Sequence, residues 1–227
     1  MNIEVHNDRD ELARWLADHI AELLSDAIAK NGVASLAVSG GGTPKLLFVE
    51  LSKHKIAWDK VTLTLVDERW VNADSDRSNA KLVYDLFKQN EASELNFLPL
   101  FHDDIDANAI ETKRGLYEAI TPFDVVILGM GTDGHTASFF PGGTTLAVAV
   151  DTQTKSLLID IEAEGAGEPR VTFTLPPLVG AGETILHIEG QEKHDVLMQA
   201  SKLSNADEMP IKHILNALPD LRVVWAA

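Results

Sequence analysis

One stretch concentrates residues able to do chemistry: Gly129-Met130-Gly131-Thr132-Asp133-Gly134-His135. It follows the fully apolar run Val125-Val126-Ile127-Leu128, the pattern of a strand buried on both faces. A titratable pair is thereby set at the carboxyl end of a sheet, where open α/β sheets bind their ligands. A carboxylate two residues from an imidazole can orient it for proton transfer, or can simply stabilise the turn. A second strand end, Asp67-Glu68-Arg69-Trp70, closes the run Val61 to Val66. Its carboxylates and arginine make either a structural ion pair or an acid/base pair beside a guanidinium that clamps a substrate. A third, Ser39-Gly40-Gly41-Gly42-Thr43-Pro44, follows Val33 to Val38. There Thr43 suits an N-cap and Pro44 the first helical position, so the loop either gathers free amides around a phosphate or carboxylate or is simply a tight turn before a well-capped helix.

These loops need elements to hold them. Asp8 with Glu11 starts a helix over 8–31 that Asn31-Gly32 stops. Further helices are predicted from Lys45 to about His54, from Ser78-Asn79 through Lys88, over 106–120, from Gln191 to about Leu203, and from Ile211 to Leu218. Strands are predicted over 33–38, 61–66, 95–100, 124–128, 155–161, 169–174, 184–188 and 221–225. Strands alternating with helices predict an α/β fold: one doubly wound, mostly parallel, Rossmann-like sheet with helices on both faces. No linker or repeat interrupts it, so residues 1–227 are expected to form a single domain. Lys193, in the first turn of its predicted helix, opposes the helix dipole; an anionic ligand docked there explains it, the alternative being a solvated lysine.

Composition narrows the partners. The 227 residues are 45% hydrophobic and 24% charged, as in an ordinary soluble globular protein. Against 19 Lys and Arg stand 35 Asp and Glu, a formal charge of −16, which argues against nucleic acid and anionic membrane surfaces as partners. Without cysteine there is no disulfide, thiolate nucleophile or thiolate-held metal. Residues Met1 to His6 lack the features of a signal peptide, and no apolar run approaches the ~20 residues of a membrane span. A cytoplasmic protein is expected.

Five blocks occur in order: Ser39-Gly-Gly-Gly-Thr-Pro44, Val66-Asp-Glu-Arg-Trp-Val71, Ser78-Asn79, Gly129 through Gly142, and Pro169-Arg-Val-Thr-Phe-Thr174. Together they resemble the bacterial-type 6-phosphogluconolactonase family, from near residue 30 to near residue 200. The resemblance implies the three-layer α/β/α sandwich shared with glucosamine-6-phosphate deaminases and ribose-5-phosphate isomerases. It also implies hydrolysis of 6-phospho-D-glucono-1,5-lactone to 6-phospho-D-gluconate in the oxidative pentose phosphate pathway. Because a lactone is an activated ester, a positioned base and donors for the oxyanion suffice, and neither cofactor nor metal is expected. His135 is then the base that activates water, Asp133 its orienting partner or a contact to sugar hydroxyls, and Arg69 a contact to the ring or oxyanion. Asp67 either binds hydroxyls or pairs with Arg69. Gly41, Gly42, Thr43, Arg170 and Lys193 would hold the phosphate. Deaminase relatives carry Asn-Glu-Pro-Gly where this chain has Phe139-Phe140-Pro141-Gly142, which favours ester hydrolysis over isomerisation. The remaining rivals are a deaminase or isomerase on the same fold and a sugar-phosphate binder without turnover. A dinucleotide-binding protein is a weaker one, since Ser39 to Thr43 lacks the G-x-G-x-x-G register. A monomer or homodimer is expected, and loops 143–154 and 162–168 receive no role.

Overall fold

The short apolar runs become strands in the computed structural model, which describes residues 1–227. The ten strands are β1 (Asn2–Val5), β2 (Ala34–Val38), β3 (Val61–Leu65), β4 (Asp67–Arg69), β5 (Asn96–Leu98), β6 (Val125–Leu128), β7 (Leu158–Ile161), β8 (Arg170–Phe173), β9 (Glu183–Glu189) and β10 (Arg222–Ala226). The α-helices are α1 (Arg9–Asn31), α2 (Lys45–Leu51), α3 (Asn79–Leu82), α4 (Arg114–Glu118), α5 (Leu146–Ala149), α6 (Leu175–Val179), α7 (Gln191–Lys202) and α8 (Ile211–Ala217). Seven strands form one sheet in the order β1-β10-β9-β6-β2-β3-β5, with every neighbouring pair parallel. β6 lies at its centre with β2 beside it, and both are buried at every position, because helices cover both faces of a parallel sheet. With the right-handed crossovers usual for parallel strands, α1, α2 and α3 fall on one face, where the chain steps from β1 toward β5, and α7 and α8 on the other, where it steps back from β9 to β10. One contiguous core of 55 buried residues runs through the sheet and its helices.

Local rules explain the longest helix. Asp8 accepts a hydrogen bond from the Glu11 amide at 2.7 Å, and Gly32 ends α1 at φ 83°. Leu12, Leu16, Ile20 and Leu24 fall on one face and are fully buried.

Several expectations are corrected. Residues 169–174 and 155–161 were expected in the main sheet, but β8 pairs antiparallel with β4 on one side and with β7 on the other in a second, three-stranded sheet. Apolar periodicity reports burial and carries no information on which partner a strand chooses. The helix predicted through Lys88 is α3 followed by a wide turn over Val83–Phe87, closed by the Lys88 amide donating to the Val83 carbonyl at 2.8 Å. Over 106–120, only Arg114–Glu118 is α-helical, after a tighter 3₁₀ stretch from Ala107 to Lys113. Thr43 is not an N-cap: Pro44 holds that position without a side-chain bond, and α2 begins at Lys45. The edge strand β1 and the short helices α5 and α6 were not anticipated.

Candidate active site

At the carboxyl ends of β2, β3 and β6 the loops enclose a cavity of about 200 Å³. Gly41, Gly42, Thr43, Asp67, Arg69, His135, Arg170 and Lys193 all line it, and Asp133 stands behind His135. The volume falls below the ~300–1,000 Å³ of clefts for drug-sized ligands.

The base end is built by the loop after β6. Asp133 Oδ1 lies 2.5 Å from His135 Nδ1 and accepts the His135 amide at 3.1 Å. Burial pushes the Asp133 carboxyl up, but the hydrogen bonds and charge of His135 outweigh it and leave the group below its usual range. An ionised Asp133 fixes Nδ1 as the protonated nitrogen, which leaves Nε2 to accept a proton. Gly131 makes room for this pair: a Cβ there would meet His135 Cε1 at 2.2 Å and Asp133 Oδ1 at 2.6 Å.

The cationic end depends on the second sheet. Pairing of β4 with β8 sets Arg69 directly opposite Arg170. Like charges in that relation repel, and both Nε–H groups are buried without a partner. Arg170 donates Nη2 to the Ala166 carbonyl at 2.7 Å; Arg69 donates Nη1 to the Arg77 carbonyl at 2.5 Å and to Asn79 Oδ1 at 3.2 Å. Burial lowers the affinity of Arg170 for its proton; Asp67 raises it and Arg69 lowers it further. Lys193 Nζ donates to Thr43 Oγ1 at 3.0 Å, joining α7 to the glycine-rich loop. Burial also pulls Lys193 down, opposed by Glu189. Two guanidiniums, an ammonium and the Gly41–Thr43 loop thus converge in a protein of formal charge −16. Cations and loop amides grouped in this way can hold an anion.

Asp67 and Glu68, adjacent in sequence, diverge. Asp67 reaches the cavity with Oδ2 accepting from Ser138 Oγ at 2.5 Å. Glu68 is fully buried and accepts from the amides of Arg69, Asn79 and Ala80 at 2.7, 2.9 and 2.8 Å. Burial raises its pKa against the pull of those amides. In the sequence Asn79 reads as part of a helix start and of one family block, with no role in the site. Its Nδ2 donates to the Asp67 carbonyl at 3.1 Å while Oδ1 accepts from Arg69, and a Cβ at Gly40 would lie 2.0 Å from Oδ1. Asn79 therefore braces the glycine-rich loop against β4. The signal available was the Ser78-Asn79 pair: Ser78 is the N-cap, its Oγ accepting from the Lys81 amide at 3.2 Å, which frees the asparagine for other work.

Fold and site together define a class of α/β sugar-phosphate enzymes. Residues 7–225 match the family of glucosamine-6-phosphate isomerases/6-phosphogluconolactonase, and the chain belongs to that family. The 6-phosphogluconolactonase of Rhizobium meliloti is 48% identical over 228 residues, covering 99% of this chain and 98% of that protein. That of Mesorhizobium japonicum is 46% identical, covering 96% of this chain and 92% of its own. The crystal structure of a 6-phosphogluconolactonase from Shewanella baltica aligns with a TM-score of 0.92 at 37% identity, covering 99% of this chain and 97% of the other. Within the family, the chain groups with the 6-phosphogluconolactonases. A monomeric glucosamine-6-phosphate deaminase, 17% identical with a TM-score of 0.80 over all of this chain, shares the fold alone.

Proposed function

We propose that the protein, acting as one domain over residues 1–227, hydrolyses 6-phospho-D-glucono-1,5-lactone to 6-phospho-D-gluconate. The observation that carries the reading is the pairing of an Asp133-oriented imidazole with two opposed arginines whose Nε–H groups are buried and unpartnered. His135 Nε2 takes a proton from water, and the hydroxide attacks the lactone carbonyl carbon. The tetrahedral oxyanion collapses, the bond from that carbon to the ring oxygen breaks, and the imidazolium returns its proton to the leaving ring oxygen. The new carboxylic acid ionises and releases one proton. Arg69 faces the ring or the oxyanion, and Asp67 supports hydroxyl binding through the oxygen not bonded to Ser138. The Gly41–Thr43 loop, Arg170 and Lys193 take the phosphate, a set of amides, one fork-shaped cation and one point charge. The reading assigns no metal, so a chelator is expected to leave the rate unchanged.

Freshly generated lactone in weak buffer, followed continuously by proton release with and without protein, tests this. A large protein-dependent acceleration is expected, with no ammonia released from glucosamine 6-phosphate. Hydrolysis at the buffer rate would end the lactonase reading.

A further inference from the structure

Phe140 is 4% exposed and does not line the cavity, yet it meets both ends of the site. Its ring centroid lies 4.5 Å from that of His135 at an interplanar angle of 33°. The Arg170 guanidinium carbon lies 5.4 Å from the same centroid. Its backbone is fixed as well: the Phe140 amide donates to the Ser138 carbonyl at 3.0 Å, and its carbonyl accepts from the Gly143 amide at 3.0 Å.

The surroundings of His135 show why this matters. Asp133 engages the Nδ1 edge, the backbone of Gly131 lies within Cβ range of Cε1, and the Phe140 ring covers the imidazole. A side chain restrained in this way keeps one free edge, the Nε2 edge, at the cavity. Arg170 has one protein hydrogen bond, to Ala166, and an unpartnered buried Nε, so hydrogen bonding alone fixes the guanidinium at a single point. The aromatic face supplies the second restraint, since a guanidinium within ~6 Å of a ring centroid is attracted by the ring quadrupole.

We propose that Phe140 is a positioning residue that couples the two ends of the site, holding the base and the anion-binding arginine in one fixed relation through a single ring. The proposal rests on the roles given to His135 and Arg170 under the lactonase reading. Catalytic groups must be held within ~0.5 Å of productive geometry, and a shared ring sets both side chains against one rigid body.

Phe140→Leu, which keeps an apolar side chain and removes the π face, separates this role from packing. The expected result is a fall in kcat of about 10-fold together with a rise in KM of about 10-fold, the scale of aromatic and cation–π contacts. The deciding measurement is a pair of double-mutant cycles. In a His135→Ala background, Phe140→Leu is expected to leave the residual kcat unchanged; in an Arg170→Ala background, it is expected to leave KM unchanged. Full additivity in both backgrounds, or wild-type constants for Phe140→Leu alone, would overturn the proposal. Should the leucine variant fail to fold, Phe140→Met carries the same cycles. Loss of the lactonase reading shows separately, as hydrolysis at the buffer rate in the presence of the wild-type protein.

Discussion

Two clefts open at opposite ends of the same parallel sheet, and they differ in how far their cations are paired. At the amino ends of β1, β9 and β10 lies a cavity of about 640 Å³. The cavity at the carboxyl ends of β2, β3 and β6 measures about 200 Å³. The large cleft holds a cation too, but a neutralised one: Arg222 donates Nε to Glu183 at 2.8 Å and Nη1 to Glu4 at 3.1 Å, and its guanidinium sits 5.9 Å from the Trp15 ring. The N-terminal amine donates to the Pro219 carbonyl on the same rim. In the small cleft Arg69 and Arg170 face each other with buried, unpartnered Nε–H groups. Buried polar groups are almost always satisfied in a folded protein, so an unsatisfied pair of like charges lining a cleft is where a bound anion would complete the bonding. Unmet hydrogen-bonding capacity distinguishes these clefts, and volume does not.

The comparison breaks most visibly at the base. His135→Ala should lower kcat by roughly 10²–10⁴-fold while KM changes little, because general-base catalysis is worth that much. A kcat close to wild type in steady-state assays would remove His135 from the role. Next in size is the cationic end. Arg170→Ala should raise KM for the phosphorylated lactone by about 10–100-fold, the scale of losing a hydrogen bond from a charged group, with a much smaller change in kcat. An unchanged KM would mean that the phosphate lies elsewhere. Smaller again is the brace: Asn79→Ala leaves the Asp67 carbonyl without its donor and Arg69 without one acceptor, costing about 1–3 kcal/mol in thermal unfolding or in kcat/KM. No loss in either would show that Arg69 holds its place without the asparagine.

How far the sequence reveals this site follows from which forces set each part. The loops at the strand ends were legible because glycine, proline and capping residues act over a few positions. Asp8 and Gly32 at the ends of α1, and the glycine-rich turn after β6, stand where local rules put them. Thr43 was assigned a local job as N-cap and has a distant one, accepting from Lys193 150 positions away. The opposition of Arg69 and Arg170 was not legible at all, because it arises from antiparallel pairing of β4 with β8 across about 100 residues. Burial patterns say that a strand is covered, not whose hydrogen bonds it shares. Phe140 was read as a departure from the deaminase pattern; its contact to His135 depends on the path of the loop after β6, and its contact to Arg170 emerges only when the second sheet docks beside that loop.

The finest test asks whether stability and function come apart differently in the two clefts. Arg222→Ala in the large cleft should leave kcat and KM within about 2-fold of wild type. Its pairs are partly exposed, so their loss should cost at most ~1 kcal/mol, seen as a small drop in Tm. Asp133→Asn in the small cleft should show the opposite balance, a clear loss of kcat with little change in Tm at neutral pH. The residual stability effect has a defined sign. Asp133 is held below its ordinary value of 3.8, so the folded state favours the carboxylate. Its contribution is present above that ordinary value and is lost as pH falls through the folded one. With the side chain 49% exposed, solvent screening limits the contribution to less than ~1 kcal/mol. The small Tm gap between wild type and Asp133→Asn should therefore persist from neutral pH down to that ordinary value and close as pH falls through the lower, folded one. A gap that widens on acidification would mean that the dyad is held together by forces other than an ionised aspartate facing its histidine.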